Sequence, residues 1–144
     1  MNPRITIKKV SSEKELEQAL RIRIRVFVGE QGVPAAIELD DDDKRALHLL
    51  AVRGGRAVGT ARMVMRRGQA KIGRMAVLKS HRRRKVGKKL LSRAIATAKK
   101  QGARKVYLHA QVPVIGFYQS AGFRCVGPVF EEAGIAHRKM ILKD

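Results

Sequence analysis

A basic segment from Ser80 to Leu91 contains the first residues whose types and spacing indicate chemistry. Its basic side chains surround Gly87 and belong to Arg82, Arg83, Arg84, Lys85, Lys88 and Lys89. Helix-forming residues follow, and a helix N-terminus binds phosphate through unpaired N–H groups and a partial positive charge. The segment therefore predicts a pyrophosphate site, with a solvated basic helix face as the alternative.

Two common nucleotide-binding motifs do not fit this segment. A Walker loop would need Gly at position 82 and Ser or Thr at position 89, where the sequence has Arg82 and Lys89. The dinucleotide fingerprint GxGxxG is absent as well. Nucleotide hydrolysis is therefore disfavoured.

Composition and charge narrow the kind of protein. The length of 144 residues and the hydrophobic content of 44% fit a single domain over residues 1–144. A net charge of +20 favours an anionic partner, which leaves nucleic acid, a membrane surface and a phosphorylated cofactor open. We expect a cytoplasmic protein without membrane association, because no apolar run approaches the roughly 18 residues of a membrane span. One cysteine and four scattered histidines predict no metal site.

Acidic residues are absent between Asp43 and Glu131. A general base that is a carboxylate must therefore come from the segments on either side.

Hydrophobic periodicity predicts the elements that precede the basic segment. Residues 4–10 alternate as in a first strand, and Ser12 with Glu15 resembles a capping box that starts a helix ending near Gly29. Residues 30–45 contain Gly, Pro and an aspartate run, which predicts a long loop or an irregular helix.

The remaining pattern predicts a meander of strands, then an amphipathic helix capped by Gly102, and finally three strands with a short helix between the first two. The predicted strands are residues 46–53, 56–67, 70–77, 105–111, 123–130 and 135–142, and the short helix lies around 114–122. Gly59 and Gly73 are candidate β-bulges. This order of elements predicts an α+β fold.

Two motifs resemble signatures of the GNAT superfamily of acetyl-CoA-dependent N-acetyltransferases. The first signature is Arg or Gln, two residues, Gly, one residue, and then Gly or Ala. The segment from Arg82 to Gly87 resembles it, with Lys85 in place of the first glycine. The second keeps its spacing, with Gln for Asn and Val for Ala, in Gln111, Val114, Phe117, Tyr118, Gly122 and Phe123. The two motifs are similar to the ElaA-like branch of this superfamily, and the resemblance extends over nearly the whole chain through four further segments: RVFVGEQGVP, GTAR, LHAQ and EEAGIAHRKM.

The resemblance implies a fold and a cofactor site. A GNAT domain has a mixed, mostly antiparallel sheet flanked by helices, whose splayed fourth and fifth strands admit the pantetheine arm of acetyl-CoA. Backbone groups of Met75, Ala76 and Val77 would pair with pantetheine. The pyrophosphate would be held by backbone amides of Arg82, Arg83, Arg84, Lys85, Val86, Gly87 and Lys88. Gln111 is a further candidate for cofactor binding.

The resemblance also implies direct transfer of the acetyl group to a primary amine of a small molecule or peptide, without a metal. Tyr118 would donate a proton to the departing thiolate, although it could instead be a core aromatic residue.

The acceptor side is less specified. The fourth strand lacks the glutamate that many of these enzymes use as base, so another group must take the proton. The loops that flank the acceptor pocket hold Glu30, Glu38, Asp40 to Asp43, Glu131 and Glu132. Glu30, Asp40, Glu132 and His109 are the candidates for contact with the acceptor. Acidic loops would favour a cationic acceptor, unless their carboxylates merely offset nearby arginines. His109 could relay a proton or be structural.

Two other functions stay open at the level of sequence. The basic surface could bind nucleic acid, although few aromatic residues are available for base stacking. The chain could also be a catalytically silent regulator that binds acyl-CoA. The acceptor and the oligomeric state are undetermined, with a homodimer among the options.

Overall fold

The structure, a computed structural model, describes residues 4–143. The strands are β1 (Ile5–Lys9), β2 (Leu47–Arg53), β3 (Arg56–Arg66), β4 (Gln69–Val77), β5 (Lys105–Gln111), β6 (Phe123–Glu132) and β7 (Ile135–Leu142). The α-helices are α1 (Glu13–Arg23), α2 (Ala35–Glu38), α3 (Val86–Lys100) and α4 (Ile115–Ser120). This order confirms the α+β fold that the periodicity predicts.

Within residues 4–143, seven strands form one mixed sheet in the order β1-β2-β3-β4-β5-β7-β6. Neighbouring strands are antiparallel except β4 and β5, which are parallel. Because α3 is the crossover between these two strands, the basic segment that precedes it lies at the carboxyl end of β4.

The two turns of the β2-β3-β4 meander have the geometry that their residues favour. Gly54 and Gly55 have φ of 56° and 76°, and Arg67 and Gly68 have φ of 54° and 77°. Two successive positive φ values are typical of the type I′ turn, which matches the twist of a hairpin.

The bulges lie beside the glycines predicted to form them. The register between β2 and β3 shifts after Ala51, which leaves Val58 as the extra residue next to Gly59. The register between β3 and β4 shifts near Arg74, which has φ of 48° and follows Gly73. The second bulge changes the direction of β4 near the site where the strand leaves β5.

The two long helices pack on opposite faces of the sheet. Leu49 packs with α3, whereas its neighbour Leu50 packs with α1, as alternation along a strand requires. The apolar stripe of α3 is buried and consists of Val86, Leu90, Leu91, Ala94 and Ala98. Gly102, with φ of 85°, follows the helix as predicted.

Helix α1 begins as predicted and then changes form. Ser12 accepts a hydrogen bond from the Glu15 N–H at 3.1 Å, while the Glu15 carboxylate accepts one from the Ser11 N–H. From Ile24 to Glu30 the helix continues with π-type hydrogen bonds. The wider turns carry the chain to the opening between β4 and β5.

Candidate active site

The parallel pair β4 and β5 diverges partway along its length. The strands pair from Gln69 to Ile72 on β4 and from Lys105 to Leu108 on β5, and β4 then continues to Val77. The β4 backbone beyond Gly73 therefore presents an edge that does not pair with β5 within the described residues 4–143. This confirms the predicted splay of the fourth and fifth strands.

A cleft of about 570 Å³ occupies this opening, a volume typical of small-molecule sites. Most of the predicted site residues line it, including Glu30, Asp40, Met75, Ala76, Val77, Arg82, Gly87, His109, Gln111, Tyr118 and Glu132. The fold therefore brings together residues that are up to about a hundred positions apart in the sequence.

One end of the cleft adjoins the start of α3. Lys85 has φ of 61° and ψ of 19°, followed by the helical Val86, an alternation that makes a concave set of N–H groups. No side chain of residues 4–143 caps this helix start. The N–H groups of Val86, Gly87 and Lys88 precede the first helical hydrogen bond, which Lys89 makes to Lys85. These amides are available to an anionic group.

The backbone conformation of Lys85 suits the glycine that stands at this position in the motif that Arg82 to Gly87 resembles. A left-handed residue costs roughly 1 kcal/mol or more unless it is glycine. Arg83 shares this conformation, with φ of 66°. The side chains of Arg83, Arg84, Lys85 and Lys88 are exposed, whereas Val86 is fully buried in the core. Only the backbone of Val86 can therefore serve a ligand.

Two hydrogen-bonded bridges join the walls of the cleft. Arg82 donates from Nε to the Val77 carbonyl oxygen at 3.0 Å and from Nη2 to Glu30 Oε1 at 2.7 Å. Gln111 Nε2 donates to Gln31 Oε1 at 2.9 Å. The end of the π-helical segment is thus linked to β4 through Arg82 and to β5 through Gln111.

Tyr118 projects from α4 into the same cleft and is half-buried. Its ring packs edge-on against Phe117 and Phe123, with centroids 5.0 and 6.1 Å apart. Burial raises the pKa of Tyr118 to about 12, so its hydroxyl remains protonated at neutral pH. The side chain can therefore donate a proton or hydrogen bond within the cleft.

The acidic loop between α1 and β2 is paired with arginines. Arg23, only 1% exposed, donates to Glu38 Oε1 and to Asp43 Oδ1, each at 2.7 Å. Arg62 bonds Asp40 and Asp43 at 2.6 and 3.0 Å. Arg74, on the β4 bulge, bonds Asp40 at 3.1 Å and Glu38 at 3.2 Å.

This pairing favours the alternative in which the loop carboxylates offset nearby arginines. Asp40 lines the cleft, but its two oxygens are engaged by Arg62 and Arg74. The acidic rim expected from sequence is therefore largely neutralised.

Across the cleft, His109 and Glu132 form a pair. His109 Nδ1 lies 3.1 Å from Glu132 Oε1. The hydrogen bond from His109 lowers the pKa of Glu132 to about 2, against the opposing effect of burial. Because an ionised carboxylate only accepts hydrogen bonds, Nδ1 is the donor. The two residues come from β5 and from the end of β6.

Reasoning from sequence missed three basic residues that line the cleft, Arg62, Lys71 and Arg74, and also the buried Arg23, which shares Asp43 with Arg62. Each lies in a helix or strand where a basic side chain is unremarkable. A weak signal exists for Arg23, because it occurs within the apolar periodicity of α1.

The described residues contain no cluster of His, Cys, Asp or Glu able to hold a metal ion. No helix within residues 4–143 has the length and apolar character needed to cross a membrane.

A splayed parallel pair beside an uncapped helix start is the arrangement that the resemblance to GNAT acetyltransferases implies. A family model described as the acetyltransferase (GNAT) domain matches residues 8–143. The uncharacterized N-acetyltransferase YjcF of Bacillus subtilis is 36% identical over 131 residues, covering 90% of this chain and 94% of YjcF. Escherichia coli ElaA is 36% identical over 132 residues, covering 88% of this chain and 86% of ElaA.

Solved structures agree with the sequence matches. The crystal structure of Escherichia coli ElaA has a TM-score of 0.87 and 32% identity, covering 97% of this chain and 100% of that chain. An acyl-CoA N-acyltransferase from Pseudomonas aeruginosa has a TM-score of 0.85 and 32% identity, covering 97% of this chain and 99% of that chain. The chain belongs to the GNAT family of N-acetyltransferases, and its similarity to ElaA supports an ElaA-like branch. Acetyl-CoA-dependent N-acetylation is general for this family.

Proposed function

We propose that this chain, as a single catalytic domain, transfers the acetyl group of acetyl-CoA directly to a primary amine. The observation that carries the proposal is the opening between β4 and β5, which has Tyr118 on one wall and the start of α3 at one end. Acetyl-CoA needs an extended slot for pantetheine and an anion site for its pyrophosphate. The cleft offers both.

Backbone groups hold the cofactor in this proposal. The edge of β4 at Met75, Ala76 and Val77 pairs with pantetheine, and one of its N–H groups polarises the thioester carbonyl. Amides of the segment from Arg82 to Lys88 hold the pyrophosphate, and Gln111 flanks the slot. Gly87 allows close approach of the ligand.

The transfer balances as follows. The amine nitrogen forms a bond to the thioester carbon, the carbon–sulfur bond breaks, and the thiolate takes a proton from Tyr118, which then regains a proton from solvent. The amine loses one proton to a base. Because arginines offset most of the negative charge of the acidic loop, the acceptor is a primary amine in general, with no preference for a cationic one.

Calorimetry with acetyl-CoA and a thiol-release assay over a panel of primary amines test this proposal. We expect one acetyl-CoA site per chain, with thiol release that depends on the amine and an acetylated product detected by mass spectrometry. Strong binding of random oligonucleotides at moderate salt without acetyl-CoA binding would favour a nucleic-acid module instead. Acetyl-CoA binding with no transfer to any amine would favour a silent regulator.

A further inference from the structure

We propose that His109, oriented by Glu132, is the base that takes the proton from the acceptor amine. This inference rests on the proposed function and supplies the group that the fourth strand lacks. The proton moves from the amine nitrogen to His109 Nε2 as the carbon–nitrogen bond forms. Glu132 holds the resulting imidazolium, which returns its proton to solvent after the product leaves.

The hydrogen bond at His109 Nδ1 determines which nitrogen is available. Because Nδ1 donates to Glu132, the neutral ring has its lone pair on Nε2. No hydrogen-bond partner for Nε2 occurs among residues 4–143, and Nε2 is not among their buried unpaired atoms. The His109 side chain is 23% exposed and lines the cleft. A free lone pair therefore meets the space where an acceptor would bind.

The other acidic groups that line the cleft are occupied. Within the described residues these are paired with arginines: Glu30 with Arg82, Glu38 with Arg23 and Arg74, Asp40 with Arg62 and Arg74, and Asp42 with Arg45 and Arg66. In each of these pairs a guanidinium group occupies a carboxylate oxygen that would have to receive the proton. Glu132 differs, since its partner is a histidine that can itself take the proton.

His137 is a poorer candidate than His109, although it also lines the cleft. It is 9% exposed, and its Nδ1 donates to the Ile135 carbonyl oxygen at 2.7 Å. Its Nε2 lies 3.7 Å from Glu132 Oε2, which places that nitrogen toward the carboxylate. Both ring nitrogens of His137 therefore face groups of the described chain, whereas His109 Nε2 does not.

Packing fixes the His109 ring. Phe130 packs edge-on against it with centroids 4.9 Å apart, and Tyr107 lies on the same strand face at 6.1 Å. Glu132 ends β6 at the tight turn through Ala133 and Gly134, which have φ of 54° and 78°. Both members of the pair are thus held by strands, which favours a precise geometry.

The charged and titratable groups around the pair come from two strands, β4 and β7. Lys71 on β4 is a half-buried cation whose positive charge acts on Glu132, and His137 on β7 faces the same carboxylate. Lys139 on β7 lies over the Tyr107 ring, 4.8 Å from its centroid. Lys71 and His137 both lower the pKa of Glu132, which helps to keep this carboxylate ionised while His109 accepts a proton.

The kinetic test compares His109→Gln and Glu132→Gln with Glu131→Gln, an exposed neighbour that serves as the control. With an amine that the wild type acetylates, His109→Gln should lower kcat/KM by about 10² to 10³ and remove the acidic limb of its pH profile. Glu132→Gln should lower it by about 10-fold to 100-fold, as a positioning residue does. Acetyl-CoA affinity should stay within about twofold in all three variants.

An NMR measurement tests the pair without an acceptor. Long-range ¹H–¹⁵N spectra of the whole protein should show His109 protonated on Nδ1, and Glu132→Gln should weaken this preference. A wild-type ring protonated on Nε2, or a His109→Gln variant with full kcat/KM, would overturn this inference and leave the proposed function standing. A wild type that transfers acetyl to no amine would instead contradict the proposed function.

Discussion

Replacement of the buried Arg23 by methionine should strongly destabilise the protein. Arg23 donates to Glu38 and Asp43 through three of its nitrogens, and Glu38 is only 4% exposed. Loss of one partner from a buried ion pair typically costs about 3–5 kcal/mol, because the remaining charge stays buried. Arg62 and Arg74 still contact these carboxylates, so we expect about 3 kcal/mol, the lower end of that range. That is a large part of the roughly 5–15 kcal/mol of a typical domain.

The pH dependence of stability gives a second estimate of how much the ion pairs of Asp43 stabilise the fold. Burial alone would raise the pKa of Asp43, but Arg23 and Arg62 lower it from 3.8 to about 2. This difference corresponds to about 2 kcal/mol. Because the folded pKa is depressed, the stabilisation is complete above about pH 4 and is lost as the pH falls toward about 2. Arg23→Met should reduce this acid-dependent loss.

Urea unfolding at a series of pH values measures both effects. Arg21→Met is the matched control, since Arg21 pairs with Glu17 one helical turn away and is 77% exposed. The control should lose about 0.3–0.5 kcal/mol with an unchanged pH profile. If Arg23→Met lost no more stability than Arg21→Met, or kept the full acid-dependent loss, the arginine pairs would not hold the acidic loop between α1 and β2 as described.

Four further substitutions test the cofactor end and the core. Lys85→Gly should keep acetyl-CoA affinity within a few-fold, because backbone amides hold the pyrophosphate and glycine suits a positive φ, whereas Gly87→Val should abolish binding by blocking close approach. Calorimetry decides, and the reverse ranking would make the lysine charge the main ligand. Gly59→Ala should cost about 1–3 kcal/mol, since its Cβ would lie 3.0 Å from a side chain of α3. An added Cβ at Gly73 would meet open space, so Gly73→Ala should lose clearly less stability in urea unfolding. Equal losses for the two variants would refute the packing argument.

Local sequence patterns predict the seven strands and the two long helices, because apolar segments separated by turn residues mark their extents. Ser12 marks the start of α1, Gly102 marks the end of α3, and both appear where capping chemistry requires them. The change of α1 to a π-helix after Ile24 could not be predicted. Its apolar spacing is compatible with either helix, and the choice depends on packing against the sheet.

The candidate site was predictable on the cofactor side and less so on the acceptor side. Tyr118 and Gly87 belong to motifs of fixed local spacing, which the sequence displays directly. The pairing of Arg23 with Asp43 joins residues 20 positions apart, and the His109–Glu132 bond joins residues 23 apart. Contacts of this kind depend on sheet order and strand bulges, which periodicity does not encode.

Tyr118→Phe tests the central claim, direct acetyl transfer with this tyrosine as proton donor, most directly. Single-turnover thiol release and calorimetry should be measured together, with Tyr107→Phe, at the other tyrosine of the chain, as control. The account predicts that Tyr118→Phe lowers the transfer rate by about 10² to 10⁴ and leaves acetyl-CoA affinity nearly unchanged, because the donor acts on a thiolate formed late in the reaction. Tyr107→Phe should transfer normally. Normal transfer by Tyr118→Phe with a proven acceptor would contradict the claim and make the tyrosine a packing residue.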